Sequence, residues 1–129
     1  MARTHASIAI SGVLAATLAA PALAAEPFAG KTIEIIIGAD VGGGQDFYGR
    51  LLSQFLGKRI PGNPTVVPKN MPGGGSNRAA AYIYSAAPKG GTAIGAVQPG
   101  TVMGPLTDKS IMALFDASKF HYLGSADSG

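Results

Sequence analysis

Three times in succession the chain passes from a short apolar segment into a glycine-rich corner and out into a new segment. That repeat limits the folds open to it. The first passage, "KTIEIIIGADVGGGQDFYGR", runs from Lys31 to Arg50; the second, "TVVPKNMPGGGSNRAAAYIY", from Thr65 to Tyr84; the third, "TAIGAVQPGTVMG", from Thr92 to Gly104. Gly42 and Gly73 are 31 residues apart, and Gly73 and Gly100 are 27 apart, close to the ~30 residues of one strand-helix-strand unit. Strands joined by helical crossovers run parallel, and the crossovers are right-handed. The expected class is therefore α/β, a parallel sheet with helical crossovers, and all three corners should share the carboxyl edge where such sheets bind ligands.

The segments support this reading. Thr32, Ile33, Ile35, Ile36 and Ile37 form a nearly continuous β-branched run bounded by glycine, which predicts a strand buried on both faces. From Phe47 the period changes: Phe47, Leu51 and Phe55 fall four apart, as do Tyr48, Leu52 and Leu56, while Arg50, Ser53 and Gln54 face elsewhere. This predicts an amphipathic helix that ends near Gly57. Residues 65–70 predict a second strand, with Pro68 pointing to a sheet edge or a strand end. "NRAAAYIYSAAP" predicts a second helix with Ala80, Ile83, Tyr84 and Ala87 on one stripe, and residues 92–97 predict a third strand. Beyond it "TVMGPL" reads as a broken helix, "DKSIMALFDASK" is ambiguous, and "FHYLGS" from Phe120 is a possible fourth strand.

The N-terminus reads differently. Residues 1–24, "MARTHASIAISGVLAATLAAPALA", place Arg3 and His5 before an apolar run that ends in Ala22 and Ala24 around Leu23. This is the pattern of a secretory signal cleaved after Ala24. Its run is rich in alanine and broken by Gly12 and Pro21, which disfavours a membrane span. The expected mature product spans residues 25–129. Losing Arg3 from ten Lys and Arg, against seven Asp and Glu, leaves a net charge of +2. The charges are scattered, so nucleic-acid binding has no support. With no cysteine, disulfides, thiol catalysis, cysteine metal ligands and an N-terminal lipid anchor are all excluded. The expected product is exported and soluble.

A glycine corner at the start of a helix exposes backbone N–H groups at the positive end of a dipole, and such places bind anions. The bland alternative is that the glycines merely permit tight turns. Two triplets at matching positions favour the anion reading. The candidate ligand-binding residues are Gly42, Gly43, Gly44, Gln45 and Asp46 at the first corner, and Gly73, Gly74, Gly75, Ser76 and Asn77 at the second. Gln98 and Thr101 at the third corner are further candidates. Asp46 is either a cap that orders the loop or a contact for a polar or cationic ligand group. Ser76 and Asn77 are helix caps, ligand donors, or both. Arg78 reads as a solvated face and His121 as a half-buried structural histidine.

Nucleotide motifs fail: G-x-G-x-x-G would need glycine where Phe47 or Arg78 stands, and "PKGGTAIG" has its lysine before its glycines. No cofactor is expected. The chain has no G-x-S-x-G and no cluster with metal spacing, so neither a catalytic residue nor a metal ligand is nominated and the chain is not expected to be an enzyme.

The stretches "IEIIIGADVGGGQDFYGRLLSQFLG", "VVPKNMPGGGSNRAAAYIYSAAPKGGTAIG" and "FDASKFHYLGS" resemble the N-terminal part of the tripartite tricarboxylate transporter substrate-binding proteins, the Bug-type extracytoplasmic receptors. The resemblance rests on the Gly42–Asp46 corner with Arg50 after it, the corner at residues 72–76, and "APKGGT". Many members have proline where Val41 stands and aspartate near Gly90; neither departure removes an amide donor. The resemblance implies the first lobe of a periplasmic-binding-protein type II fold. Its function would be to receive a small organic carboxylate, held by the two glycine corners, and to deliver it to membrane permease subunits, as a monomer when full length. Members are considerably longer. These residues would then correspond to the N-terminal part of the first lobe, with apolar surface left exposed and ligand bound weakly or not at all by this part alone. The alternatives are a receptor that presents its ligand to a signalling system and an anion- or cofactor-binding domain of an exported enzyme.

Overall fold

The structure, a computed structural model, describes residues 26–112 and 114–126. The expected signal segment, residues 1–24, lies outside the described residues. Strand β1 (Thr32–Ile37) leads through the first glycine corner into helix α1 (Gly44–Leu56). Strand β2 (Thr65–Asn70), helix α2 (Asn77–Ser85) and strand β3 (Ala93–Ala96) follow, and then two single-turn helices, α3 (Gly104–Thr107) and α4 (Lys109–Met112). Short 3-10 turns occupy Gly57–Arg59, Pro99–Val102 and Ala117–Lys119.

The three strands form one parallel sheet in the order β2-β1-β3. β1 is central, and it alone of the three is buried on both faces: Ile33, Ile35, Ile36 and Ile37 are each 1% exposed or less. Burying four isoleucines contributes roughly 6–12 kcal/mol before the entropy of ordering the chain is subtracted. β2 lies at an edge, as Pro68 requires of a residue with no N–H to give to a ladder; it sits opposite Ile35.

Residues in register on parallel strands point to the same face, which locates the helices. Gly49 of α1 lies against Ile37, so α1 covers the face of Ile33, Ile35 and Ile37. Gly95, in register with Ile36, lies against Ile83 of α2. The two helices therefore occupy opposite faces. Two right-handed crossovers running in opposite directions from β1 and back past it can do nothing else. The strand order thus reverses between β1 and β3, and a crevice outside their carboxyl ends is the ligand position of such folds.

α1 differs from the expectation in its orientation. The side turned to the sheet is Asp46, Gly49, Arg50, Ser53 and Leu56, buried or half-buried, whereas Phe47, Tyr48, Leu51, Leu52 and Phe55 are all exposed, Phe47 by 62%. The physical reason is closeness. A Cβ on residue 49 would lie 2.6 Å from Cδ1 and 2.7 Å from Cγ1 of Ile37, so only glycine lets the helix approach this near, and small or paired polar side chains fill what remains. On α2, Ala79 and Ala80 are buried and Ile83 half-buried, and Ala87 is buried just beyond the helix end, while Tyr84 is exposed and meets Phe120 edge-on at 6.2 Å.

The possible fourth strand is not formed: residues 121–125 adopt no regular structure. Phe120 is held instead by rings, packing on Phe115 at 5.8 Å as well as on Tyr84, and the Tyr122 hydroxyl donates to the Ala117 carbonyl. The ambiguous stretch before it resolves into two copies of one Asp-x-Ser turn. Asp108 accepts from the amide and hydroxyl of Ser110, and Asp116 does the same for Ser118.

The close approach of α1 is testable. Gly49→Ala should lower stability by about 1–2 kcal/mol, the overpacking cost less the gain in helix propensity. Gly90→Ala, where a Cβ meets open space, should change it by less than about 0.5 kcal/mol. Urea unfolding followed by circular dichroism measures both; equal effects would refute the contact.

Candidate functional site

The first corner is organised by a carboxylate. Asp46, in the first turn of α1 and 3% exposed, accepts hydrogen bonds from the Gly42 amide at 2.9 Å, from Arg50 Nε at 2.9 Å and from Asn70 Nδ2 at 2.8 Å. Arg50 also donates through Nη2 to Asn70 Oδ1 at 2.7 Å, and Asn70 Nδ2 reaches the Ala39 carbonyl at 3.0 Å. The network joins α1 to the end of β2 and pins the loop between β1 and α1. These bonds hold the Asp46 carboxyl at about 2, below its ordinary 3.8: the Arg50 bond contributes most, then the Gly42 amide, then Asn70.

The second corner takes its shape from left-handed backbone. Gly73, Gly74, Gly75 and Ser76 have φ of 135°, 55°, 59° and 72°, four consecutive residues in left-handed territory. A Cβ strains such a run, which is the need the glycines meet; Ser76 carries the strain and is fully buried. Its hydroxyl donates to the Gly38 carbonyl at 2.9 Å and accepts from the Gln98 amide at 3.2 Å, and it does not cap α2. Gly38 has to be glycine here, since a Cβ would lie 2.5 Å from Ser76 Cβ and Oγ.

Further bonds tie the corners together. Thr101, 3% exposed, donates from Oγ1 to the Gly75 carbonyl at 2.9 Å, and Gln45 Nε2 donates to the Ala96 carbonyl at 2.7 Å. The candidates from all three corners therefore meet along the carboxyl edge of the sheet. Those of the first two corners divide into exposed backbone at Gly42, Gly43, Gly44, Gly73, Gly74 and Gly75, and side chains already engaged at Asp46 and Ser76. Among the described residues the amides of Gly43, Gly44 and Gln45, and those of Gly73, Gly74 and Gly75, meet no acceptor. Two buried oxygens, Gln45 Oε1 and Asn77 Oδ1, one at each corner, accept nothing. Gln98 and Arg78 are exposed, and so is His121, against the half-buried position expected of it: the strand that would have covered it is not formed.

An open cavity of about 330 Å³ adjoins the first corner, lined by Gly42, Gly43, Asp46 and Arg50 with Phe47 and Leu51 of the outer face of α1. Asn70, Gly38 and Ala96 were not nominated from sequence. Only the position of Asn70, at the end of a strand and ahead of a glycine corner, hints at its part. Among the described residues no three His, Asp or Glu side chains gather as a metal site, and no helix is long and apolar enough to cross a membrane. No family model matches the chain, and no curated protein or solved structure does.

Two outcomes follow. Because Asp46 titrates lower in the folded state, its stabilisation is full above pH ~3.8 and is lost as the pH falls through about 2. Acid unfolding should therefore steepen between those limits in the native chain and flatten in Asp46→Asn, as read by circular dichroism against pH. Ser76→Ala would strip the Gly38 carbonyl and the Gln98 amide of their buried partner and should cost about 1–3 kcal/mol. A urea midpoint equal to the native one would contradict the junction.

Proposed function

We propose that this chain is the first lobe of an exported solute receptor that binds a small organic carboxylate and performs no chemistry. The observation that carries the reading is the pair of amide clusters on one sheet edge, Gly43–Gly44–Gln45 and Gly73–Gly74–Gly75, which meet no acceptor among the described residues. Backbone N–H groups at helix starts stabilise anions through their partial positive charge, and they make no demand on what is attached to the anion. The order β2-β1-β3 supports the reading, since it puts the first and third corners on either side of the reversal point. The orphaned oxygens of Gln45 and Asn77 are consistent with a ligand, or ordered water, that also donates hydrogen bonds.

The finer assignment follows the resemblance in the glycine corners. It is a periplasmic-binding-protein type II lobe of the tripartite tricarboxylate transporter class, monomeric when full length, working in the periplasm and handing its ligand to membrane permease subunits. Each charge-assisted bond is worth about 1.5–3 kcal/mol and association costs at least about 4 kcal/mol, so two open corners support an affinity of the order of millimolar.

Titration of the 15N-labelled chain with citrate, succinate and sulfate tests this. Carboxylates are expected to move the amide resonances of residues 43–45 and 73–75 together, with dissociation constants of the order of millimolar. Sulfate moving those amides while both carboxylates leave them still would overturn the carboxylate assignment, and silence from all three anions would overturn the anion site.

A further inference from the structure

The first corner contains an apparent contradiction. A carboxylate, Asp46, stands in the first turn of the helix whose free amides are offered to an anion. Left alone it would use up the dipole and repel a second negative charge at short range. We propose that Arg50 cancels the charge of Asp46 and so keeps the first corner receptive, acting as a positioning residue that sets anion affinity without touching the ligand; this rests on the anion-receptor reading above.

The geometry supports the division of work. Asp46 needs its position for a local reason, to hold the Gly42 amide and to anchor on Asn70. Neither of those partners carries charge. Arg50, one helical turn on, is the cation paired with it among the described residues, while Lys69 pairs with Glu34. The guanidinium is oriented from two sides, by Asp46 through Nε and by Asn70 through Nη2, so the planar fork cannot swing towards solvent without breaking both bonds. Asp46, Arg50, Gly42 and Gly43 line one cavity, which places the pair beside the amides whose field it would otherwise disturb. An uncompensated charge at this range would weaken anion binding by about tenfold.

The test uses citrate as probe and the amides of residues 43–45 as readout, in the native chain and four variants. Arg50→Gln keeps a donor for Asp46 but no charge and is expected to weaken citrate binding about tenfold. Arg50→Lys keeps the charge and should stay within about threefold. The double variant Asp46→Asn with Arg50→Gln removes both charges and should return to within about threefold of native, a rescue that a direct ligand contact or a purely structural arginine would not show. Asp46→Asn alone should bind citrate more tightly than native.

If the native chain responds to citrate and Arg50→Gln responds equally, the proposal fails while the anion site stands. A double variant as weak as Arg50→Gln also overturns it. If no amide of either corner responds in the native chain, the anion reading falls and this inference with it. Should Arg50→Gln lose the dispersed amide spectrum of the sheet, Asp46→Asn decides alone: binding equal to or weaker than native refutes the charge argument.

Discussion

The carboxyl edge of the sheet depends on one buried hydroxyl. Ser76 Oγ lies between the Gly38 carbonyl at the end of β1 and the Gln98 amide at the end of β3, and the residue that carries it ends the corner after β2. A hydroxyl can give one proton and accept another, so it can join two backbone groups of opposite kind from neighbouring strands. Its full burial removes water as a competitor and makes the loss of either bond costly. The left-handed backbone from Gly73 to Ser76 follows from that requirement, since the chain has to bend sharply for the hydroxyl to reach inwards.

The two glycine triplets consequently solve different problems. At the second corner all three glycines are left-handed and the side chain that follows locks three strand ends. At the first corner only Gly42 of the triplet has positive φ; Gly43 is extended at the helix boundary and Gly44 is already helical. Here order comes from side chains, through the carboxylate of Asp46 and its partners Arg50 and Asn70. One corner is thus held by a left-handed backbone and the Ser76 hydroxyl and the other by a charged network, and each has amides that meet no acceptor among the described residues.

α1 shows why a hydrophobic stripe is an incomplete guide. The stripe of Phe47, Leu51 and Phe55 with Tyr48 and Leu52 gives the helix and its length correctly, because the 3.6-residue period belongs to the backbone. It does not say which face meets the sheet. That choice went to Gly49, whose missing Cβ admits Ile37, and to a polar pair whose bonds are made with a residue 20 to 24 positions away. The five large side chains left outside form a continuous apolar face. The failed fourth strand has a similar cause: "FHYLGS" contains no β-branched residue, and rings of Phe115 and Tyr84 hold its half-buried Phe120.

By itself the amino-acid sequence determined the parallel sheet, its three strands and the common placement of the glycine corners, and it narrowed Pro68 to a sheet edge or a strand end. These depend on β-branched runs, on a spacing near 30 residues and on the handedness of crossovers, all of which are local or topological. The tertiary structure decided which candidates keep a free hydrogen-bonding group. In the sequence Asp46 reads as a loop-ordering cap or a ligand contact, Ser76 as a helix cap, a ligand donor or both, and Thr101 as a ligand candidate; in the fold their polar atoms are consumed by Gly38, Gln98, Gly75, Gly42, Arg50 and Asn70. The reason is that a side chain's hydrogen bonds go to whatever the fold brings within about 3 Å, and four of those six partners lie 22 or more positions away along the chain.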